Sequence, residues 1–386
     1  MKALPARNVG IRQANEKLLL RLIRDRKRAS QSELASITGL QPSTICRIIG
    51  SLVERDVIRQ EGAFRPDGIR KGRRPVFFAL NESAAFSIGI DLASDGAALL
   101  LVDLTGGKIG IERLAFRAEL PAPRVVALLA AAVARMLKQA GIRRKALLGI
   151  GLGAPGLIDI DSGCVVKYAR FRDMVGFPLR DRLSASCGVP VHMHNGTSLI
   201  ALSEYRYGQA ASESSRSLAA ILIREGVGGA WVNDGRIFTS QGRTAFEAGH
   251  LFVSLLDGTE ESLEDRVSEP AILRTVRASK HAIRDMNALV RALQAGDPAV
   301  IAALEKVAAI LAKVSFNIAL LLRPQSLLFI TRYRPLSTFF AEHVGRSLMA
   351  PTGRGLFDVT SVIASEYDPV IACRGAADLV FDGFFS

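Results

Sequence analysis

The chain has 386 residues, 49% of them apolar, and 50 Lys and Arg against 37 Asp and Glu give a formal net charge of +13. That length suits two or three folded units, and the most apolar stretch, "VVALLAAAVARML", is too short for a membrane span and carries Arg135. The N-terminal "MKALPARNVGIRQ" has charge but no apolar core, which argues against a secretory signal, so a cytoplasmic protein with no membrane association is expected.

The charge is unevenly placed. Residues 1–80 hold 17 Lys and Arg against 7 Asp and Glu, and the remainder holds 33 against 30. A basic surplus confined to one fifth of the chain is the footprint of a polyanion-binding module on a nearly neutral body. Cys46, Cys164, Cys187 and Cys373 show no C-x-x-C spacing, which predicts buried small side chains and neither a zinc site nor a disulfide framework.

In chain order, "IRQANEKLLLRLIRDRK" predicts a helix with Ile11, Leu18, Leu19, Leu22 and Ile23 on its inner face. "SQSELASITGL" predicts a second helix, capped by Ser30 with Glu33 three residues on and stopped at Gly39. The third opens at Pro42 in "QPSTICRIIGSLVERD" and turns Ile45, Ile48, Ile49, Leu52 and Val53 inward. This is helix-turn-helix spacing, and Ser43, Thr44 and Arg47 are the side chains expected to reach base edges. "VIRQEGAF" and "RPVFFAL" alternate like two strands around "RPDGIRKGRR", which predicts a wing carrying Arg65, Arg70, Lys71, Arg73 and Arg74, with Arg73 and Arg74 on DNA phosphates.

From Phe86 onward the pattern is strand, strand, strand, helix, strand, ending at "LLGIGLGAP". It recurs from "SLAAILIREGVGGAWVNDGRIF" through the long helix "AVIAALEKVAAILAKVSFNIALLL" to the strand "SLLFI". The repetition predicts two related α/β lobes with a ligand cleft at the strand ends between them.

Six stretches carry a resemblance: "GIDLASDGAALLLVDLTGG", "GIGLGAPGLIDIDSG", "GVPVHMHNGTSLIALSEYRYG", "EGVGGAWVNDGRIF", "EAGHLFV" and "SLEDRVSEPAI". In this order, behind a winged helix, they resemble the ROK family, whose name joins repressors, open reading frames and sugar kinases. The resemblance implies an α/β chain: an N-terminal winged helix-turn-helix, then a two-lobed actin-like ATPase (ribonuclease H-like) fold that forms a homodimer or homotetramer. The expected division is 1–80 for the DNA-binding domain, 85–194 plus 371–386 for the first lobe, and 195–370 for the second, ligand-binding and oligomerisation lobe. It also implies a sugar pocket built from the Ala154–Gly156 turn, Asn195, Glu247, His250 and Glu264.

Where the family's kinases carry a bare GGT loop, this chain has Ala93, Ser94 and Asp95. Where they carry GTGVGGG, it has "REGVGGA", with Arg224 and Glu225 at the Gly-Thr positions. Thr331 and Arg332 replace a Gly-Gly pair and are expected to crowd the nucleotide. Gly196 replaces the aspartate that takes the proton from the attacking sugar hydroxyl, and a glycine cannot act as a general base. The family's zinc-binding cysteine loop is replaced by "LFVSLLDGTEESL", so no metal and no cofactor is expected, and His250 is free to serve a ligand.

The expected function is a carbohydrate-responsive transcriptional regulator of sugar-utilisation genes, kinase-inactive, binding a double-stranded DNA operator and a sugar or sugar derivative. Repression is favoured over activation, with cleft closure changing the spacing of paired winged helices. The alternatives are a sugar kinase with an accessory DNA-binding domain, and a repressor controlled by a protein partner.

Overall fold

The structure, a computed structural model, describes residues 6–61, 75–116, 120–168, 171–211, 216–240, 243–244, 246–254, 260–280, 282–349 and 360–385. The chain opens with α1 (Ala6–Asp25), β1 (Ala29–Ser30), α2 (Gln31–Thr38), α3 (Pro42–Glu54), β2 (Ile58–Glu61) and β3 (Phe77–Leu80), the strands pairing in the order β1-β3-β2. The predicted caps are present. Ser30 Oγ accepts from Glu33 N at 3.3 Å while Glu33 Oε2 accepts from Ser30 N at 2.8 Å, and Gly39 closes α2 in the left-handed region at φ +67°. The wing basic residues Arg65, Arg70, Lys71, Arg73 and Arg74 lie outside the described residues.

Leu19, Ile23, Ile45, Ile48, Ile49 and Leu52 are buried as expected, but two assignments need correction: Ile11 is 57% exposed and Val53 is 40% exposed. Ile11 lies about two helical turns before the first buried position of α1, and Val53 is roughly 100° around α3 from Leu52, off the buried stripe. Leu20, not foreseen, is buried instead. The cysteine expectation holds for Cys187 and Cys373 only, because Cys164 is half-buried and Cys46 is exposed on α3.

The body begins with β4 (Phe86–Ala93), β5 (Gly96–Asp103), β6 (Lys108–Ala115), α4 (Ala122–Gln139) and β7 (Leu147–Ala154), then a small hairpin of β8 (Leu157–Asp159) and β9 (Cys164–Lys167), α5 (Leu179–Cys187) and β10 (Val191–Asn195). α6 (Gly196–Tyr207) leads to β11 (Ser217–Ile223), β12 (Val227–Asn233) and β13 (Arg236–Ile237), followed by the short strands β14 (Thr239–Ser240), β15 (Arg243–Thr244), β16 (Phe252–Ser254) and β17 (Glu260–Ser262). Then come α7 (Leu263–Val267), α8 (Glu269–Ser279), α9 (Met286–Gln294), α10 (Pro298–Leu322), β18 (Ser326–Thr331), α11 (Arg334–Leu348), β19 (Ser361–Glu366) and α12 (Pro369–Phe385).

Two five-stranded sheets run β10-β7-β4-β5-β6 and β13-β12-β11-β18-β19. Numbered within each repeat, both have the order 3-2-1-4-5, with antiparallel pairing among the first three strands and parallel pairing to the last two. The duplication read from the sequence is therefore a duplication of topology and pairing sense. Each sheet has its own apolar core, covered mainly by α4 and α5 in the first and by α8, α10 and α11 in the second.

α12 joins the parts. Gly89 on β4 and Gly151 on β7 let its backbone settle on the first sheet, since a Cβ at either would come within 1.7 Å of the Cys373 or Ala376 carbonyl oxygen. The same stripe of α12, continued through Phe381 and Phe385, completes an apolar cluster with the N-terminal module, in which Leu19, Ile23 and Ile49 gather with Leu100, Phe381 and Phe385. At the same contact Arg24 lies 4.8 Å over the Phe385 ring and 3.7 Å from Asp382, while Asp382 and Asp378 hold Arg206 of α6 at 2.7 and 3.0 Å. Among the described residues no helix is long and apolar enough to cross a membrane.

Candidate functional site

The cleft between the sheets holds a cavity of about 190 Å³, open to solvent, and is lined by residues from β4, the turn after β7, the start of α6, the β11–β12 turn, Glu247, His250 and Glu264. All five residues expected at the sugar site, Gly156, Asn195, Glu247, His250 and Glu264, line it. The parallel pairing of β10 with β7 sets Asn195 beside Ala154, so the turn and the asparagine meet at the carboxyl ends of adjacent strands.

Asn195 also has a structural task. Its Oδ1 accepts from Ser198 N at 3.1 Å and caps α6, and its Nδ2 donates to the Gly156 carbonyl at 2.9 Å. One N–H and one lone pair of the amide remain for a ligand. Gly156 sits at φ +80°, and a Cβ there would meet the Lys167 carbonyl oxygen at 2.4 Å. Behind Asn195, the buried His194 accepts the Asn195 N–H at its Nδ1 at 2.9 Å, and burial pushes its pKa down to about 4, so it is neutral.

Glu264, at the start of α7, accepts from Val227 N at 2.9 Å through Oε2 and so pins the β11–β12 turn. Glu247 is half-buried, its carbonyl accepts from His250 N at 3.0 Å, and the His250 side chain is exposed at the cleft. Between them Gly249 passes against β12, where a Cβ would lie 2.2 Å from the Val227 carbonyl oxygen. Lys167, Tyr168, Thr197 and Asp91 also line the cleft and were not foreseen. A Lys-Tyr pair after a short strand has no diagnostic spacing, and Asp91 inside an apolar strand was read only as part of a motif.

On the nucleotide side, three separate departures from the kinase pattern converge. Arg332 pairs with Glu225 and lies 3.7 Å from Asp95 and 3.9 Å from Glu269. Arg224 lies 4.0 Å from Asp91, 3.8 Å from Glu225 and 4.3 Å over the Tyr367 ring, while the Tyr367 hydroxyl donates to Asp91. Asp91 and Asp95 belong to the first sheet and its β4–β5 turn, and their cationic partners to the second, so the pairs bridge the cleft. Burial pushes the Asp91 carboxyl above its ordinary range, and Arg224 opposes the rise.

Arg332 crowds this region as expected, but Thr331 does not. It is fully buried in the second lobe, with its Oγ1 donating to the Tyr333 carbonyl at 2.8 Å and accepting from Ser337 Oγ at 3.0 Å. A strand-end threonine can satisfy itself on the start of the following helix, which its place in a motif does not encode. At Gly196 a Cβ would lie 3.5 Å from Asp91 Oδ1, so the position has room for a side chain, though a carboxylate there would face another. The family's zinc finds no cysteine between Leu251 and Leu263, and the described residues contain no group of three or more His, Cys, Asp or Glu that could hold a metal.

In the N-terminal module Ser43 and Arg47 are exposed on α3, and Thr44 is half-buried beside them.

A duplicated sheet pair with this cleft, behind a helix-turn-helix, defines the class: the ROK family matches residues 87–382, and the chain belongs to it. The IclR helix-turn-helix domain matches residues 18–62. Among curated proteins, the chain is 27% identical over 272 residues to the xylose repressor of Caldicellulosiruptor bescii, covering 69% of this chain and 67% of that one. It is 26% identical over 247 residues to the DNA-binding transcriptional repressor Mlc of Escherichia coli, covering 63% and 59%. A ROK family transcriptional regulator described as a homologue of E. coli Mlc overlays 97% of this chain and 98% of its own with a TM-score of 0.80 at 19% identity. A ROK family glucokinase from Streptomyces griseus, solved with glucose and AMPPNP, overlays 78% of this chain and all of its own at 0.66 and 21% identity.

Proposed function

We propose that this protein is a carbohydrate-responsive, DNA-binding transcriptional regulator of sugar-utilisation genes, a repressor that senses a sugar without phosphorylating it. In this reading residues 1–80 bind an operator through Ser43, Thr44, Arg47, Arg73 and Arg74. Residues 85–194 with 371–386, and 195–370, form the two lobes of a cytoplasmic homodimer or homotetramer. The sugar is held by the Gly156 turn, Asn195, Glu247, His250 and Glu264. One observation supports it above all: a single cleft is lined by all five of these residues, while Gly196 supplies no base and Arg332 is paired with Glu225, which stands at a phosphate-loop position of the kinases.

Calorimetry with a panel of unphosphorylated sugars should give binding heat in the absence of ATP, and incubation with ATP and the same sugars should release no ADP. Sustained ADP release would return the protein to the kinases. Heat from no sugar would favour control by a protein partner. Glu247→Ala should abolish the effect of the bound sugar on DNA affinity and leave the affinity without sugar unchanged, because the lost hydrogen bonds exist only in the liganded state. Gly196→Asp should still give no turnover, since the new carboxylate faces Asp91 and Arg332 remains paired with Glu225.

A further inference from the structure

α1 is longer than its packing requires. Among its described side chains the buried ones, Leu19, Leu20 and Ile23, lie in its second half, whereas Ile11, Arg12, Gln13 and Ala14 are exposed. The stretch from Ile11 to Glu16 runs beside α3, so that Arg12, Gln13 and Asn15 form one wall of an open groove whose other wall is Thr44 and Arg47. Arg12 and Asn15 are three residues apart and share a helix face with Glu16. Glu16, the groove's only acid, is paired to Arg55 at 2.6 Å, so its repulsion of a polyanion is offset. Among the described residues neither Arg12 nor Arg47 enters an ion pair.

Building on the DNA-binding reading above, we propose that the Ile11–Glu16 stretch of α1 is a second DNA-contact element, in which Arg12, with Gln13 and Asn15, grips the phosphodiester backbone flanking the segment read by α3. The chemistry fits that partner. Guanidinium and amide N–H groups on a rigid helix match phosphate oxygens, and a helix flank beside a groove-reading helix meets the backbone and not base edges. The division of labour follows: Arg47 discriminates among sequences, and Arg12 adds affinity to all of them.

The test uses the full chain and a labelled duplex of mixed sequence, with affinity followed by fluorescence anisotropy across a salt series. Arg12→Ala should weaken binding about five- to tenfold near physiological salt and lower the log–log salt slope by about 0.9, as for one lost phosphate contact. Arg12→Glu should weaken it further. Arg26→Ala, at an exposed position in the turn just past the C-terminal end of α1, should match the unmodified protein in both quantities. Circular dichroism and thermal unfolding should be unchanged in all three, since none of these side chains is in the core. If Arg12→Ala keeps the parental affinity and slope while Arg47→Ala loses discrimination, this proposal is wrong and the DNA-binding reading survives. If the unmodified protein binds no duplex at low salt, the DNA-binding reading falls and this proposal with it.

Discussion

Gly89→Ala is expected to lower the stability of the whole protein by about 3 kcal/mol or more, at the upper end of the cost of overpacking a well-filled interior. The added methyl would sit 1.7 Å from the Cys373 carbonyl oxygen and 2.7 Å from the Ala377 nitrogen, and both are backbone atoms of α12 that no rotamer change can move aside. The helix must shift, and because Phe381 and Phe385 on it also pack against Leu19 and Ile23, the N-terminal module should loosen with it. Denaturant unfolding followed by tryptophan fluorescence and by duplex binding checks both. Gly110→Ala, on a strand where a Cβ meets nothing within 4 Å, is the comparison and should stay within about 0.5 kcal/mol of the parent. Equal stability of the two variants would mean that α12 does not lie on the sheet as described.

Arg224→Ala should produce a destabilisation that grows with pH. Asp91 is buried, with Arg224, the Tyr367 hydroxyl and Asp95 as the groups acting on it, and burial already holds its carboxyl above the ordinary value of 3.8. A carboxyl raised in the folded state contributes stability below its unfolded value and loses it as pH climbs through the folded one. Removing Arg224 takes away the principal opposing charge, so the folded value rises further and more stability is lost by neutral pH, on the order of 3–5 kcal/mol for stranding a buried charge. In acid, where Asp91 is protonated in both states, only the packing of Arg224 on the Tyr367 ring is lost. Urea titrations at acid and neutral pH measure the difference, and adding Asp91→Asn to the variant should remove most of its pH dependence. A pH-independent loss would mean that Arg224 acts through packing alone.

What the sequence disclosed and what it hid follow from the range of the interactions. The capping box at Ser30 and Glu33, the left-handed Gly39 and Pro42 at the start of α3 act within a few residues, so their meaning is local and they were legible. The duplicated sheet was legible because each copy repeats its strand, turn and helix signals in the same order. Asn195, Glu247, His250 and Glu264 were legible through motif order, and all four line one cleft, but motif order does not reveal that Asn195 is half committed to capping α6. Arg224, Glu225, Arg332 and Asp95 were each noticed as obstructions. That they neutralise one another depends on contacts such as Arg332 with Glu225, 107 residues away, and no periodicity encodes that. Ile11 was misplaced because an apolar residue on a helix's inner stripe was assumed to have something to pack against.

The shared core of α1 and α12 also sets an order of events during synthesis. The DNA-binding module is made first, yet part of the apolar surface that completes it lies on a helix of 17 residues at Pro369–Phe385. At about 5–20 residues per second, the ribosome delivers that helix roughly 15–60 s after the module itself has emerged. Through that interval the module carries an uncovered apolar floor and lacks the Asp382 partner of Arg24. A chain that stops short of its end is left with an unfinished DNA-binding head, so prematurely terminated products are poorly equipped to occupy an operator they could not release in response to a ligand.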